Sequence, residues 1–284
     1  MPDDVEAFLR GPLACAALLA AQDWGLSAKE VTKPGVSFAL AVAARQAIDP
    51  WDEHYSATLD CALQRREEVR AFADAVLREP GVAWWSSPVA DHWQVHVAGH
   101  PSDSANLVSS SYAQLPIPAL VTSSYIDGDT CWDALASAHV GDAEPNSSPT
   151  RTLLHSDSSS RVFEIDSADS WHELVTRYPL RAAAAERGGL APDWQSVAQD
   201  WDGVHLSLMG FLAGTHVPVG MGADRTVLWT WDSEQTYWLR DVFTATSTVS
   251  AAAHAARPQH DRRPLRLLDH QRDSHSRGPL EPGL

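Results

Sequence analysis

Residues 200–210, Asp200-Trp201-Asp202-Gly203-Val204-His205-Leu206-Ser207-Leu208-Met209-Gly210, hold the change of period on which the fold turns. Pro192-Asp193 opens a helix that runs through Asp200, because aspartate caps a first turn and proline tolerates its start. Asp200 and Asp202 bracket the helix end. The apolar run Val204 to Leu212 then reads as a buried strand with His205 and Ser207 on one face. Thr226 to Trp231 and Tyr237 to Phe243 read as two more strands, and Arg161 to Ile165 as another. Ser167 or Asp169 caps a short helix to Tyr178. Helices set among strands predict an α+β C-terminal region on a mixed or antiparallel sheet.

Upstream, residues 1–80 read as helical. Pro12 suits a first turn, the apolar run Leu13 to Ala21 follows, and Gly25 closes the helix. Ser27 with Glu30 makes a capping box, and Val36 to Ala47 reads as the next helix. Asp49-Pro50 opens a long one to about Arg78, with Tyr55, Leu59, Leu63, Val69, Phe72 and Val76 among its apolar stripe. Short strands are expected at Val82 to Trp85 and Trp93 to Val97.

The chain therefore divides, as a sequence, into a largely helical region with short strands (1–140) and a Ser-, Pro- and Asp-rich linker or mobile loop (141–160). An α+β region (161–250) and a disordered tail (254–284) follow. The formal net charge is −16 over 284 residues. The tail holds six arginines against four acids, so the preceding part carries −18. That balance argues against a nucleic-acid backbone or an anionic membrane as the main partner. Three cysteines, Cys15, Cys61 and Cys131, lie too far apart for a metal clip and suit buried thiols in a reducing cytoplasm. Leu13 to Ala21 is too short to span a bilayer, and acids precede it where a leader needs positive charge.

Twelve tryptophans mark the chemistry. Trp-Asp recurs at Trp51, Trp132, Trp201 and Trp231, at spacings of 81, 69 and 30 residues, so no propeller period exists. An indole needs a large apolar contact area and a partner for its N–H, so clustered indoles beside acids predict a walled site or an interface. His205 is the candidate base because imidazole titrates near neutrality, with Asp202 as its orienter and Asp232 converging on it. Trp201, Trp231 and Tyr237 would line the pocket. Arg240, or the loop carrying Lys29 and Lys33 at a helix N-terminus, would hold an anionic group. His92, His96 and His100 are spaced as a metal site would be on a helix, but Val95 and Val97 favour a strand. Four residues of strand span about 13 Å, too far for one ion. No metal or cofactor is expected. A Ser-His-Asp hydrolase is disfavoured, since the Gly-x-Ser-x-Gly elbow is absent.

The segments Gly81–Trp85, Asp169–Leu180, Asp200–Ser207 and Thr230–Asp241 resemble a Trp-rich family of actinobacterial proteins, some in specialised-metabolism settings. The chain is also similar, more distantly, to the aziridine-forming proteins of azinomycin-type biosynthesis. The residues above predict a cytoplasmic, metal-free enzyme acting on a small polar metabolite by acid–base chemistry. The likeness implies that a carrier-bound amino acid closes a ring as its amine displaces a sulfate ester, an anionic leaving group. It carries over no site residue. The competing expectation is a non-catalytic partner or immunity-type protein that uses a Trp-rich acidic surface as an interface.

Overall fold

Pro12 to Ala21 are all buried, so this helix is enclosed by its neighbours instead of lying across a surface. A computed structural model describes residues 2–49, 54–97, 108–109, 114–117, 119–138, 151–180 and 190–249. The helices are α1 (Pro2–Phe8), α2 (Pro12–Asp23), α3 (Ala28–Val31), α4 (Pro34–Ala47), α5 (Tyr55–Gln64) and α6 (Arg66–Leu77). They are followed by α7 (Cys131–Ala138), α8 (Ala168–Arg177), α9 (Trp194–Asp200) and α10 (Leu208–Gly214). Helix α2 packs on α4, α5, α6 and α10. Gly25, at φ +67°, ends it in the left-handed region that a side chain would strain. The Ser27–Glu30 capping box forms as expected.

The expected helix to Arg78 is two, broken at Arg65. Helix α5 leans on α2, while α6 also reaches α1 and α3, so each half presents its apolar side to different neighbours. Its predicted start, 50–53, lies outside the described residues. Val82 to Trp85 is also not a strand but part of a 3-10 helix, Pro80–Ser86. In a strand, adjacent indoles would face opposite ways. Here the Trp84 N–H donates to the Thr32 carbonyl (3.0 Å) and the Trp85 N–H to Ser37 Oγ (3.2 Å), so both face the α3–α4 corner.

The strands are β1 (Trp93–Val97), β2 (Val108–Ser109), β3 (Pro116–Ile117), β4 (Leu120–Tyr125), β5 (Arg151–Ser156) and β6 (Val162–Ile165). The remainder are β7 (Gly203–Leu206), β8 (Pro218–Val219), β9 (Thr226–Val227), β10 (Gln235–Trp238) and β11 (Phe243–Val249). Seven form one sheet in the order β11-β5-β1-β4-β10-β7-β6. All its pairings are antiparallel except β6 with β7. The α+β class is thus as the sequence predicts, but its division is not. Strands β1 and β4, from before residue 141, sit mid-sheet, and β5 forms inside the predicted 141–160 linker, hydrogen-bonded on both sides. Residues 141–150 and the tail lie outside the described residues.

The run after His205 corrects a second strand expectation. Strand β7 stops at Leu206, and Ser207 Oγ accepts the Gly210 N–H at 3.1 Å, capping α10. A Cβ at Gly210 would lie 2.1 Å from the Ile165 carbonyl oxygen, so glycine lets α10 press onto the end of β6. Of the expected strand Thr226 to Trp231 only β9 forms. Tyr237 to Phe243 is split between β10 and β11.

Candidate functional site

Strand register assembles the site. Glu164 on β6 pairs with His205 on β7, His205 with Thr236 on β10, and Thr236 with Thr122 on β4. Lateral neighbours share a face, so four adjacent strands lay a polar row across one side of the sheet. Gln94 Oε1 accepts hydrogen bonds from the Thr122 (2.8 Å) and Thr236 (3.2 Å) hydroxyls.

His205 is 2% exposed, and both its ring nitrogens face carboxylates: Nδ1 lies 2.5 Å from Glu164 Oε2 and Nε2 3.1 Å from Glu234 Oε1. Ionised carboxylates only accept, so both nitrogens donate and the ring is an imidazolium. Burial alone would lower its pKa, but the two glutamates override that and raise it to about 9. Glu234, itself buried, also accepts from Ser123 Oγ (2.7 Å) and the Ser124 amide (3.1 Å). Glu164 accepts the Val89 amide at 2.9 Å and is 31% exposed, so the cluster runs from solvent at Glu164 to a buried carboxylate at Glu234.

Beside it lies a small hollow, about 10 Å³ of open space, lined by Trp84, Trp85, Ser87, His92, Ser124 and Glu234, with His205 and two aliphatic residues. That is room for about one water. His92, half-buried, places Nε2 2.7 Å from Ser87 Oγ. Burial lowers its pKa, and the charged His205 adds to that against Asp91 and the two glutamates. Two imidazoles on one hollow are therefore driven in opposite directions.

The residues expected at this site mostly serve elsewhere. Asp202 does not orient His205. Its carboxylate accepts the Arg161 amide (2.8 Å) and the Arg240 guanidinium (3.0 Å), tying β6 to the chain after β10. Arg240 also donates to the Ala198 and Gln199 carbonyls, capping α9 instead of holding a ligand. Asp232, on a largely exposed side chain, accepts from Arg45 at 2.8 Å. Trp231 is fully buried between Trp171 and Tyr237 (ring centroids 6.5 and 4.8 Å), and burial pushes the Tyr237 phenol well up. Trp201 packs edge-on to Phe163, and its N–H donates to the Tyr178 hydroxyl at 3.1 Å. Lys29 and Lys33 are exposed, and neither lines the hollow. His96 bonds the Val121 carbonyl from β1, apart from His92, and His100 lies outside the described residues. Among the described residues no group of three His, Cys, Asp or Glu could hold a metal.

Glu164 and Glu234 are not expected from the sequence as partners of His205, and His92 is expected only as one of three evenly spaced histidines. Glu164 carries a signal: it is one acid between Phe163 and Ile165 in an otherwise apolar strand. Glu234 carries none, because only the fold brings it to His205. No family model, curated protein or solved structure matches the chain.

Proposed function

We propose that the chain is an acid–base enzyme acting on a small polar metabolite, with proton transfer centred on His92 and the Glu164–His205–Glu234 cluster. The observation carrying this is the opposed displacement of two imidazole pKa values on one hollow. A neutral His92 can take a proton at the pH where His205 holds one. Glu234 presents the cluster to the hollow, and Glu164 returns protons from solvent. The wall carrying Trp84, Trp85, Ser87 and His92 excludes water, and a substrate of more than a few atoms enters by displacing it. No helix among the described residues is long and apolar enough to cross a membrane. A reducing cytoplasmic setting belongs to the same proposal and is supported by three buried cysteines that form no disulfide.

The finer form of the proposal is ring closure on a carrier-bound amino-acid-like substrate, in which His92 would take the amine proton. Two carboxylates and one imidazolium sum to one negative charge here. The departing group therefore leaves best when protonated through Glu234 and not as a free anion. The interface alternative loses its aromatic anchors: among the described tryptophans only Trp93 is exposed, and Trp85, Trp171, Trp194, Trp231 and Trp238 fill the interior.

The test is solvent exchange or turnover. Wild-type protein is incubated in deuterated buffer with pools of amino-acid-like metabolites, free and carrier-bound, and mass spectrometry follows uptake of carbon-bound label or loss of the leaving-group mass. The His92→Gln protein is expected to lose at least about 100-fold of either signal while its melting point stays close to wild type. Either signal at the wild-type rate in that variant, or neither from wild type with any pool, rejects the proposal.

A further inference from the structure

Ser87 stands immediately before Pro88, and a residue before proline is confined to extended backbone. Its φ of −73° and ψ of 143° are of that kind, so the proline sets the local path without help from the serine hydroxyl. The chain then makes one 3-10 turn, Val89–Asp91, and reaches His92, whose amide donates to the Val89 carbonyl at 3.2 Å. Glu164 holds this loop through the Val89 amide (2.9 Å), and the Ser87 and His92 side chains close it at 2.7 Å. The loop bearing His92 is thus fixed to the same carboxylate that pairs with His205.

A serine hydroxyl has one hydrogen to give. Ser87 Oγ lies 2.7 Å from the Trp84 carbonyl oxygen, the ordinary length of an O–H···O bond, and a carbonyl can only accept. The hydroxyl hydrogen is therefore committed to Trp84. Only lone pairs remain at Oγ, so the 2.7 Å contact with His92 is a hydrogen bond that Nε2 donates. In the other tautomer Oγ would turn its hydrogen to Nε2 and face the Trp84 oxygen with no hydrogen between them. His216 lacks such a constraint. It follows α10 at φ +66°, in the left-handed region, and its Nδ1 lies 2.8 Å from the Tyr55 hydroxyl. That hydroxyl makes no other hydrogen bond among the described residues, so it can give or take and fits either tautomer.

The bond made by one ring nitrogen sets the state of the other. With its hydrogen on Nε2, neutral His92 has one acceptor left, Nδ1, which makes no hydrogen bond among the described residues. A proton arriving at Nδ1 leaves the Nε2–H···Oγ bond in place, so neither Ser87 nor Trp84 has to rearrange. We infer that Ser87 is a positioning residue that holds His92 as the Nε2–H tautomer and so makes Nδ1 the proton-accepting atom of the site. The role in turnover rests on the acid–base reading above, whereas the protonation pattern stands apart from it.

The full chain, carrying 15N-labelled histidine rings, is followed by NMR as the pH is lowered from about 8. The expected neutral ring has its hydrogen on His92 Nε2 and a bare Nδ1, and acid adds the second proton at Nδ1. Ser87→Ala should speed solvent exchange of the Nε2 hydrogen at least about tenfold and slow turnover in the labelling assay about tenfold, with little change in melting point. Ser87→Thr, which keeps the hydroxyl, should restore both, a rescue that packing alone does not produce. A hydrogen on Nδ1 of the neutral ring, or one averaged over both nitrogens, overturns the inference, as does unchanged Nε2–H exchange in Ser87→Ala. If that variant does not fold, the wild-type ring pattern decides alone. The expected ring pattern with no turnover by wild type supports the Nδ1 assignment while rejecting the acid–base reading.

Discussion

His205 and His216 are both buried, yet one is held charged and the other neutral. His205 lies between two carboxylates and gains more from them than burial costs. His216 faces a phenol and lies within the field of a guanidinium, so burial and charge act in the same direction. The difference teaches that burial alone does not set a histidine's state. Burial neutralises His216 with help from a guanidinium and is overridden at His205 by two carboxylates, so neighbouring charges decide whether burial prevails, and strand register or loop path chooses those neighbours.

The largest expected effect breaks the first half of that contrast. Glu234→Gln removes one carboxylate from the buried imidazolium while nearly keeping the shape. It should cost about 3–5 kcal/mol at pH 7, read by urea unfolding, and lower the His205 pKa measured by NMR. A loss below about 1 kcal/mol with an unmoved His205 would show that Glu164 alone holds the proton.

Next in size are the pH limbs, which run oppositely. The His205 pKa is raised on folding, so its contribution is full below about pH 6.5 and fades as pH rises toward 9. The alkaline loss should be on the order of 3 kcal/mol and should be missing from His205→Gln. The His216 pKa is lowered on folding, so the unfolded chain takes up the proton first and stability falls with acid below about pH 6.5. His216→Asn, which suits the left-handed backbone, should remove about 2 kcal/mol of that loss between pH 6.5 and 5. Parallel limbs in wild type and variants would dissolve the contrast.

The smallest effect sharpens it. Asp202→Asn should cost less than about 1 kcal/mol, because its ion pair with Arg240 is partly exposed, and should leave the His205 ring signals where they are. Movement of those signals would restore Asp202 as the orienter.

Much of the framework is legible in the chain. The α2 run, the Ser27–Glu30 box, the Asp193 cap and the strand Trp93–Val97 follow from local periodicity and capping. Where the reading failed, a tertiary contact outweighed the local pattern. Val204 to Leu212 has strand-like composition, but Ser207 can cap and Gly210 can approach β6, so the run turns helical after Leu206. Arg151–Ser156 is polar enough to read as linker, yet two neighbouring strands satisfy its backbone.

By itself the sequence determined an acidic α+β protein and several of its helix boundaries, and it singled out His205 as a candidate base. Capping and hydrophobic period act within a few residues, so they can be read along the chain. Only the tertiary structure decided that Glu164 and Glu234, 41 and 29 residues from His205, would enclose it, and that Asp202 and Asp232 would turn to arginines. Charge pairing depends on distance in space, and strand order sets that distance.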